Sequence, residues 1–301
     1  MNTRNTLCSS VARCAFIVLC MTVIVIGCQD LPPNDYIERI VVEGFLITNH
    51  GVDSIIIRKS LPVNVAYDPQ VAGIVHAQVT ITVDGNVYTL MEKDTTSGFY
   101  YLPASVLTIR SGKTYNLEIH TGDAVVKAST IVPDSIKLTS QLPDTLQYPS
   151  DPNAQTVPAA NVTWTDVRGR ASYAANVACL DTTWYKVWTK DTVINGRDTV
   201  IQYGIPNRRI DRFWEANAPF YKDVSRWEPF IDYPSTPLPW TGFKWYGRQR
   251  IMVFSVDQNF YDWLRTQFLG TTYKPPLNHI DGGIGVFGSA GIDTQTVFVK
   301  E

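Results

Sequence analysis

The side chains able to do chemistry are few in this chain, and their spacing does not describe a catalytic centre. Four histidines (His50, His76, His120 and His279) are scattered, with no two at a metal-ligand spacing. There is no H-E-x-x-H, no G-x-S-x-G, no Walker loop and no calcium-binding loop. No catalytic residue, metal or other cofactor is expected, and the chain reads as a non-enzyme. Asp211, Glu215 and Asp223 lie in an aromatic region, where two converging carboxylates would suit glycoside hydrolysis; solvated charge on a loop is the other reading. Gly283-Ile284-Gly285-Val286-Phe287-Gly288 spells G-x-G-x-x-G. A dinucleotide site needs a helix starting inside that motif and an acid about 20 residues on. Here Ser289 to Asp293 reads as a turn, so the glycines are expected to let a tight turn pack closely against a neighbouring strand.

Cysteine is more informative. Arg4 and Arg13 precede an apolar segment, Ala15 to Ile26. Its length suits a secretory leader and falls short of the roughly 20 residues a spanning helix needs. It closes in Val25-Ile26-Gly27-Cys28, which resembles a bacterial lipobox. That resemblance implies cleavage before Cys28 and acylation of its sulfur and new amino group; the alternative is an uncleaved anchor helix. Acyl chains add about 0.8 kcal/mol per buried methylene, so three would fix the protein to a membrane. Cys8, Cys14 and Cys20 leave with the leader, and Cys179, in a strand-like stretch, is expected to be a buried, inert thiol. The mature chain keeps 24 basic and 28 acidic side chains, a balance that argues against nucleic acid as a partner.

Two further patterns point to surface function. All eight tryptophans fall at or after Trp164, and the stiff, proline-flanked stretch from Pro237 to Tyr246 gathers Trp240, Phe243, Trp245 and Tyr246. Such rings can stack on a glycan or peptide ligand, or on a partner protein, at little ordering cost. They can equally be the core of the second half. Asp followed by Ser or Thr and then an aliphatic residue or Thr recurs at Ser54, Thr95, Ser135, Thr145, Thr182, Thr192 and Thr199. This resembles the O-glycosylation sequon of exported Bacteroidota proteins, although Asp-Thr also starts strands after turns.

The elements that must position these residues are mostly strands. Short β-branched runs recur from Ile40 to Val132, with Asp84-Gly85 and Gly122-Asp123 as hairpin turns. Gly112-Lys113-Thr114-Tyr115 resembles a tyrosine corner, in which the phenol bonds nearby backbone; Tyr115 as a plain strand residue is the other reading. Pro133 to Ala160 holds five prolines and reads as a linker or long surface loop. One good helix is expected, capped by Asp257, with Phe260, Trp263, Leu264 and Phe268 as its apolar stripe and Gly270 at its end. A last strand is expected at Thr296 to Val299. The fold class is therefore mainly β. An immunoglobulin-like β-sandwich (37–133) follows a leader (1–27) and a tether (28–36). A Pro-rich linker (134–160) then leads to a second, aromatic-rich β domain with one helix (161–301).

Tyr36 to Gly44, Ala77 to Gly85, Gly112 to Tyr115, Ala128 to Pro133 and Asn278 to Ser289, behind the lipobox, together resemble an uncharacterised Bacteroidota family of envelope lipoproteins, a domain of unknown function. The closing Gly-Gly-x-Gly-Val-Phe-Gly segment is the most specific part. The resemblance implies a lipid-anchored outer-membrane protein, often encoded beside TonB-dependent receptors and so partnered with one in substrate capture. It supplies no catalytic residues. A structural or adhesion lipoprotein is the alternative function, and a glycan-acting hydrolase a third.

Overall fold

Between Thr114 and Ile131 apolar residues alternate with polar ones, and each such run forms a strand with one buried face. The computed structural model describes residues 36–62, 64–93, 98–151, 153–180, 193–194, 197–198, 226–243, 246–269 and 278–300. The first eight strands are β1 (Ile40–Ile47), β2 (Val52–Lys59), β3 (Gln78–Val83), β4 (Asn86–Thr89), β5 (Met91–Glu92), β6 (Phe99–Leu102), β7 (Thr114–Thr121) and β8 (Ala124–Ile131). Between β2 and β3 sits a single helical turn, α1 (Pro69–Ala72), which the sequence does not announce. Asp68 caps it by accepting from the Gln70 amide at 2.9 Å, and Pro69 presets its first dihedral, so two residues suffice to start it. The hairpin at Asp84-Gly85 closes with both residues at positive φ, 51° and 79°, as an aspartate–glycine turn requires.

The remaining strands are β9 (Thr145–Gln147), β10 (Ala160–Thr163), β11 (Ser172–Cys179), β12 (Val193–Ile194), β13 (Arg197–Asp198), β14 (Arg226–Ile231), β15 (Ser235–Leu238), β16 (Gly247–Val256), β17 (Ile280–Asp281) and β18 (Ile284–Lys300). The protein is mainly β. One sheet runs β14-β11-β16-β18-β1-β2-β6-β5, with β9 also on β18, and a second runs β17-β8-β7-β3-β4. The first core lies between these sheets: Val42, Ile57, Ile81, Tyr100, Leu117 and Phe287 are buried in it. This two-sheet packing is consistent with an immunoglobulin-like sandwich. Of the two readings of Tyr115 the structure has the corner, its phenol oxygen accepting from the Arg110 amide at 2.8 Å. Burial raises the Tyr115 pKa, the Arg110 amide opposing it.

A second corner of the same kind lies in the later half, where none was expected. Tyr173 accepts from the Val167 amide at 3.0 Å and donates to Asp166 Oδ1 at 2.6 Å, with the Arg170 guanidinium 4.2 Å from its ring centre. Tyr115→Phe leaves a part-buried amide without its acceptor, so urea melts should show a loss of about 1 kcal/mol, and Tyr173→Phe a loss of about 1–2 kcal/mol.

β18 belongs to both halves. Residues 284–290 pair in parallel with β1, and 290–299 pair antiparallel with β16. In place of the expected glycine-rich turn and short last strand, the structure has one strand of 17 residues. The reason is crowding. A Cβ on Gly285 would lie 2.0 Å from the Val42 carbonyl oxygen, and one on Gly288 would lie 2.9 Å from the Phe260 nitrogen. The glycines permit close approach along an extended strand, so the close packing was expected but its setting was not.

The proline-rich stretch is bonded to the same strand. Asp293 accepts from the Leu138 amide, Gln295 Nε2 donates to the Leu142 carbonyl, and β9 pairs with β18 at residues 298–300. The later half of the large sheet buries Tyr173, Val177, Ile251 and Val297 on one face, beneath the β10–β15 pair. Its other face receives α2 (Gln258–Leu269), where Phe260 and Leu264 are buried and Trp263 is half-buried against Phe45. Asp257 caps α2 by accepting from the Phe260 amide at 2.9 Å, as the sequence indicated. Gly270 and the side chain of Phe268 lie outside the described residues.

Candidate functional site

Strand register decides what the outer face of the β17-β8-β7-β3-β4 sheet presents. On a pleated sheet the residues facing outward stand in rows across neighbouring strands, about 4.8 Å apart. One row runs Asp281, Lys127, Glu118, Thr80. The next runs Ser129, Asn116, Thr82, and His279, immediately before β17, continues it beside Ser129. Members of both rows line a groove of about 340 Å³, within the size range of small-molecule sites.

The two rows differ in how their polar groups are used. In the first, Glu118 Oε1 lies 2.7 Å from His120 Nε2, and Oε2 lies 3.3 Å from Lys127 Nζ. The hydrogen bond from His120 and then that from Lys127 hold the Glu118 carboxyl below the usual carboxylate range. In the second row, among the described residues, Asn116 and Ser129 make no side-chain hydrogen bond. His279 is oriented from behind: its Nε2 lies 2.8 Å from Asp262 Oδ2, while Asp262 Oδ1 accepts from Gln258 Nε2 at 3.0 Å. Asp262 is buried, and the His279 side chain is 42% exposed, leaving Nδ1 for a ligand. The Asn278 amide sets the approach to β17, donating to the Ile280 and Gly283 carbonyls and accepting from the Gly285 amide at 3.0 Å. An amide, hydroxyls, an imidazole and the Asp281 carboxylate in one groove can hydrogen-bond a small polar ligand.

The aromatic stretch is placed differently from its reading as a ring surface. Trp240 and Phe243 are only 7% and 3% exposed, and their rings fill the second core with Tyr148. The physical reason is that β15 pairs with β10 over the large sheet, so the loop that follows must cover apolar surface there. Tyr246 is half-buried, edge-on to Tyr148, and Trp245 lies outside the described residues. Of the Asp-Ser/Thr positions, Thr145 and Ser135 are exposed, the latter 3.0 Å from the Ser111 hydroxyl, and Ser54 is half-buried on β2. Thr95, Thr182, Thr192 and Thr199 lie outside the described residues, as do Cys28 and the trio Asp211, Glu215 and Asp223. Cys179 is buried, with Gln249 donating to its sulfur at 3.4 Å.

Sequence reasoning missed the groove residues Asn116, Glu118, Lys127, Ser129 and Asp281, and had His279 only as a scattered histidine. Alternation along β7 and β8 was a usable signal for one polar face. Which residues stand side by side depended on register between strands, and His279 meets Asp262 only through the packing of α2.

A search of curated proteins gives no match. Among solved structures, the chain is similar to one described as "Structural insight into host cell surface retention of a 1.5-MDa bacterial ice-binding adhesin", at 11% identity and a TM-score of 0.18. That match covers 90% of this chain, which spans 66% of the length of the solved one. The family described as a domain of unknown function (DUF4249) matches residues 29–296 of the 301, and the chain belongs to this family.

Proposed function

We propose that this protein is a lipid-anchored binding protein of the bacterial cell envelope, held at the outer membrane through acylated Cys28, and that it captures a small polar ligand for a TonB-dependent receptor. The observation that carries the reading is the groove, which Asn116, Ser129 and His279 line in one row with hydrogen-bonding groups turned toward it. Its role is binding rather than catalysis. Glu118, engaged by His120 and Lys127, is kept as an anion and is poorly suited to donate a proton. The leader and lipobox support the anchor, and the likeness to Bacteroidota lipoproteins supports the receptor partnership. Thr145 and Ser135 are the accessible candidates for O-glycosylation; an intact mass equal to lipid plus polypeptide would remove that modification.

Two measurements test the proposal. Cys28→Ala should leave the leader uncleaved and the protein without acyl chains, so that it no longer fractionates with the outer membrane; unchanged processing and unchanged outer-membrane fractionation would refute the anchor. Titration with simple sugars and amino-acid amides, followed by chemical shifts, should perturb His279 and Asn116 first. Asn116→Ala or His279→Ala should each weaken such binding about five- to tenfold. A structural or adhesive lipoprotein is the second reading, favoured by the burial of Trp240 and Phe243.

A further inference from the structure

The chain leads back to Cys28 from one end of the first sandwich, and that end carries an exposed apolar segment. The Arg39 carbonyl accepts from the Ser60 amide at 2.8 Å, and the Arg39 amide donates to Ser60 Oγ at 3.0 Å. The start of β1 and the chain leaving β2 therefore lie side by side. From there the chain enters residues 64–71, all of them exposed, with Val65 at 46%, Tyr67 at 61% and Val71 at 56%. Three large apolar side chains thus stand within eight consecutive exposed residues. The segment is also shaped. The Val65 amide donates to the Pro62 carbonyl, Asp68 caps α1, and the Arg58 guanidinium lies 6.0 Å from the Tyr67 ring centre and 5.7 Å from that of Phe99.

Chain length decides what can meet this segment. Eleven peptide steps separate Cys28 from Arg39. They span about 40 Å fully extended and roughly 20 Å as a flexible coil. An acylated Cys28 thus keeps residues 64–71 within reach of the lipid surface. Three side chains bury too little apolar area to hold a free protein on a bilayer, but an anchor makes their contact intramolecular and raises its effective concentration. Tyrosine suits the headgroup level, with an apolar ring and a polar tip, and Arg39 and Lys59 stand close by for lipid phosphates.

We propose that residues 64–71 rest on the bilayer that holds Cys28, with Val65, Tyr67 and Val71 entering the headgroup boundary. This rests on the lipid anchor proposed above. The test uses the full acylated protein in phosphatidylethanolamine–phosphatidylglycerol vesicles. An environment-sensitive dye is placed at Tyr67→Cys, or at Ser105→Cys beside the β1–β2 turn, where Gly51 approaches Ala104. Cys179 is buried, so the introduced thiol is the one labelled. Dye emission at position 67 should rise about twofold on vesicles and be quenched by spin-labelled lipid, while position 105 stays unchanged. Adding Val65→Asp and Val71→Asp should abolish the rise while the protein still floats with the vesicles. Protein that floats but shows equal dye signals at 67 and 105 would overturn the lipid contact and spare the anchor. Protein that does not float, behaving like Cys28→Ala, would overturn both.

Discussion

Gly285→Ala should cost about 4 kcal/mol or more, enough to leave the protein largely unfolded, whereas Gly85→Ala should cost only about 1 kcal/mol. Both glycines have positive φ, 122° and 79°, so both replacements carry a backbone penalty. They differ in surroundings. A Cβ at Gly85 meets nothing within 4 Å, but at Gly285 it would lie 2.0 Å from the Val42 oxygen and 2.9 Å from the Val42 carbonyl carbon. These are backbone atoms of β1, locked by pairing on both sides, so neither rotamer change nor small shift can relieve the clash. Since β18 is shared by both halves of the large sheet, damage at Gly285 should spread to both cores. Chemical denaturation with tryptophan fluorescence, whose reporters all follow residue 163, checks this. Loss of signal at native-like conditions for Gly285→Ala but not Gly85→Ala is the expected result.

Asp257 should give the second large effect, with an unusual pH signature. It accepts from the Phe260 and Ser289 amides and from Thr130 Oγ1, and Thr130 also lies 2.7 Å from Ser289 Oγ. One carboxyl thus joins the start of α2 to β8 and β18. Asp257→Ala strips three donors of their acceptor in a buried site, for a loss of about 2–4 kcal/mol. Burial raises the Asp257 pKa above the ordinary carboxylate value, and the bonds from Thr130, Ser289 and Phe260 only partly offset it. A carboxyl raised in the folded state favours folding most when protonated. Its contribution is complete below the ordinary carboxylate range and is lost as pH rises through the folded value. Stability should therefore fall as pH climbs from the ordinary carboxylate range toward neutrality. Asp257→Asn should remove that slope at a cost of about 1 kcal/mol or less. Its amide oxygen still accepts the two backbone donors, and its NH₂ can donate to Thr130, whose proton then turns to Ser289. A pH series of thermal melts for both variants separates these outcomes.

The local devices were legible. Asp84-Gly85 turned a hairpin because such residues tolerate positive φ, and Asp257 capped a helix because its side chain reaches the free amides of the first turn. Tyr115 formed its corner within five residues. Each of these depends on near neighbours in the chain. The Trp240 and Phe243 rings were the counterexample. Stiff, proline-flanked aromatics look alike whether they face a ligand or a sheet, and only the pairing of β15 with β10 put them inside.

What the sequence by itself determined is the mainly β class, the turns and the caps, because each is written in periodicity or in a handful of adjacent residues. Tertiary structure alone decided that β18 serves both halves, that Asp262 stands behind His279, and that Asn116 and Ser129 share a row with it. Those facts depend on register and crossing, where a shift of one residue would turn every side chain to the other face. No local pattern carries that information, since it is set by which buried faces fit together.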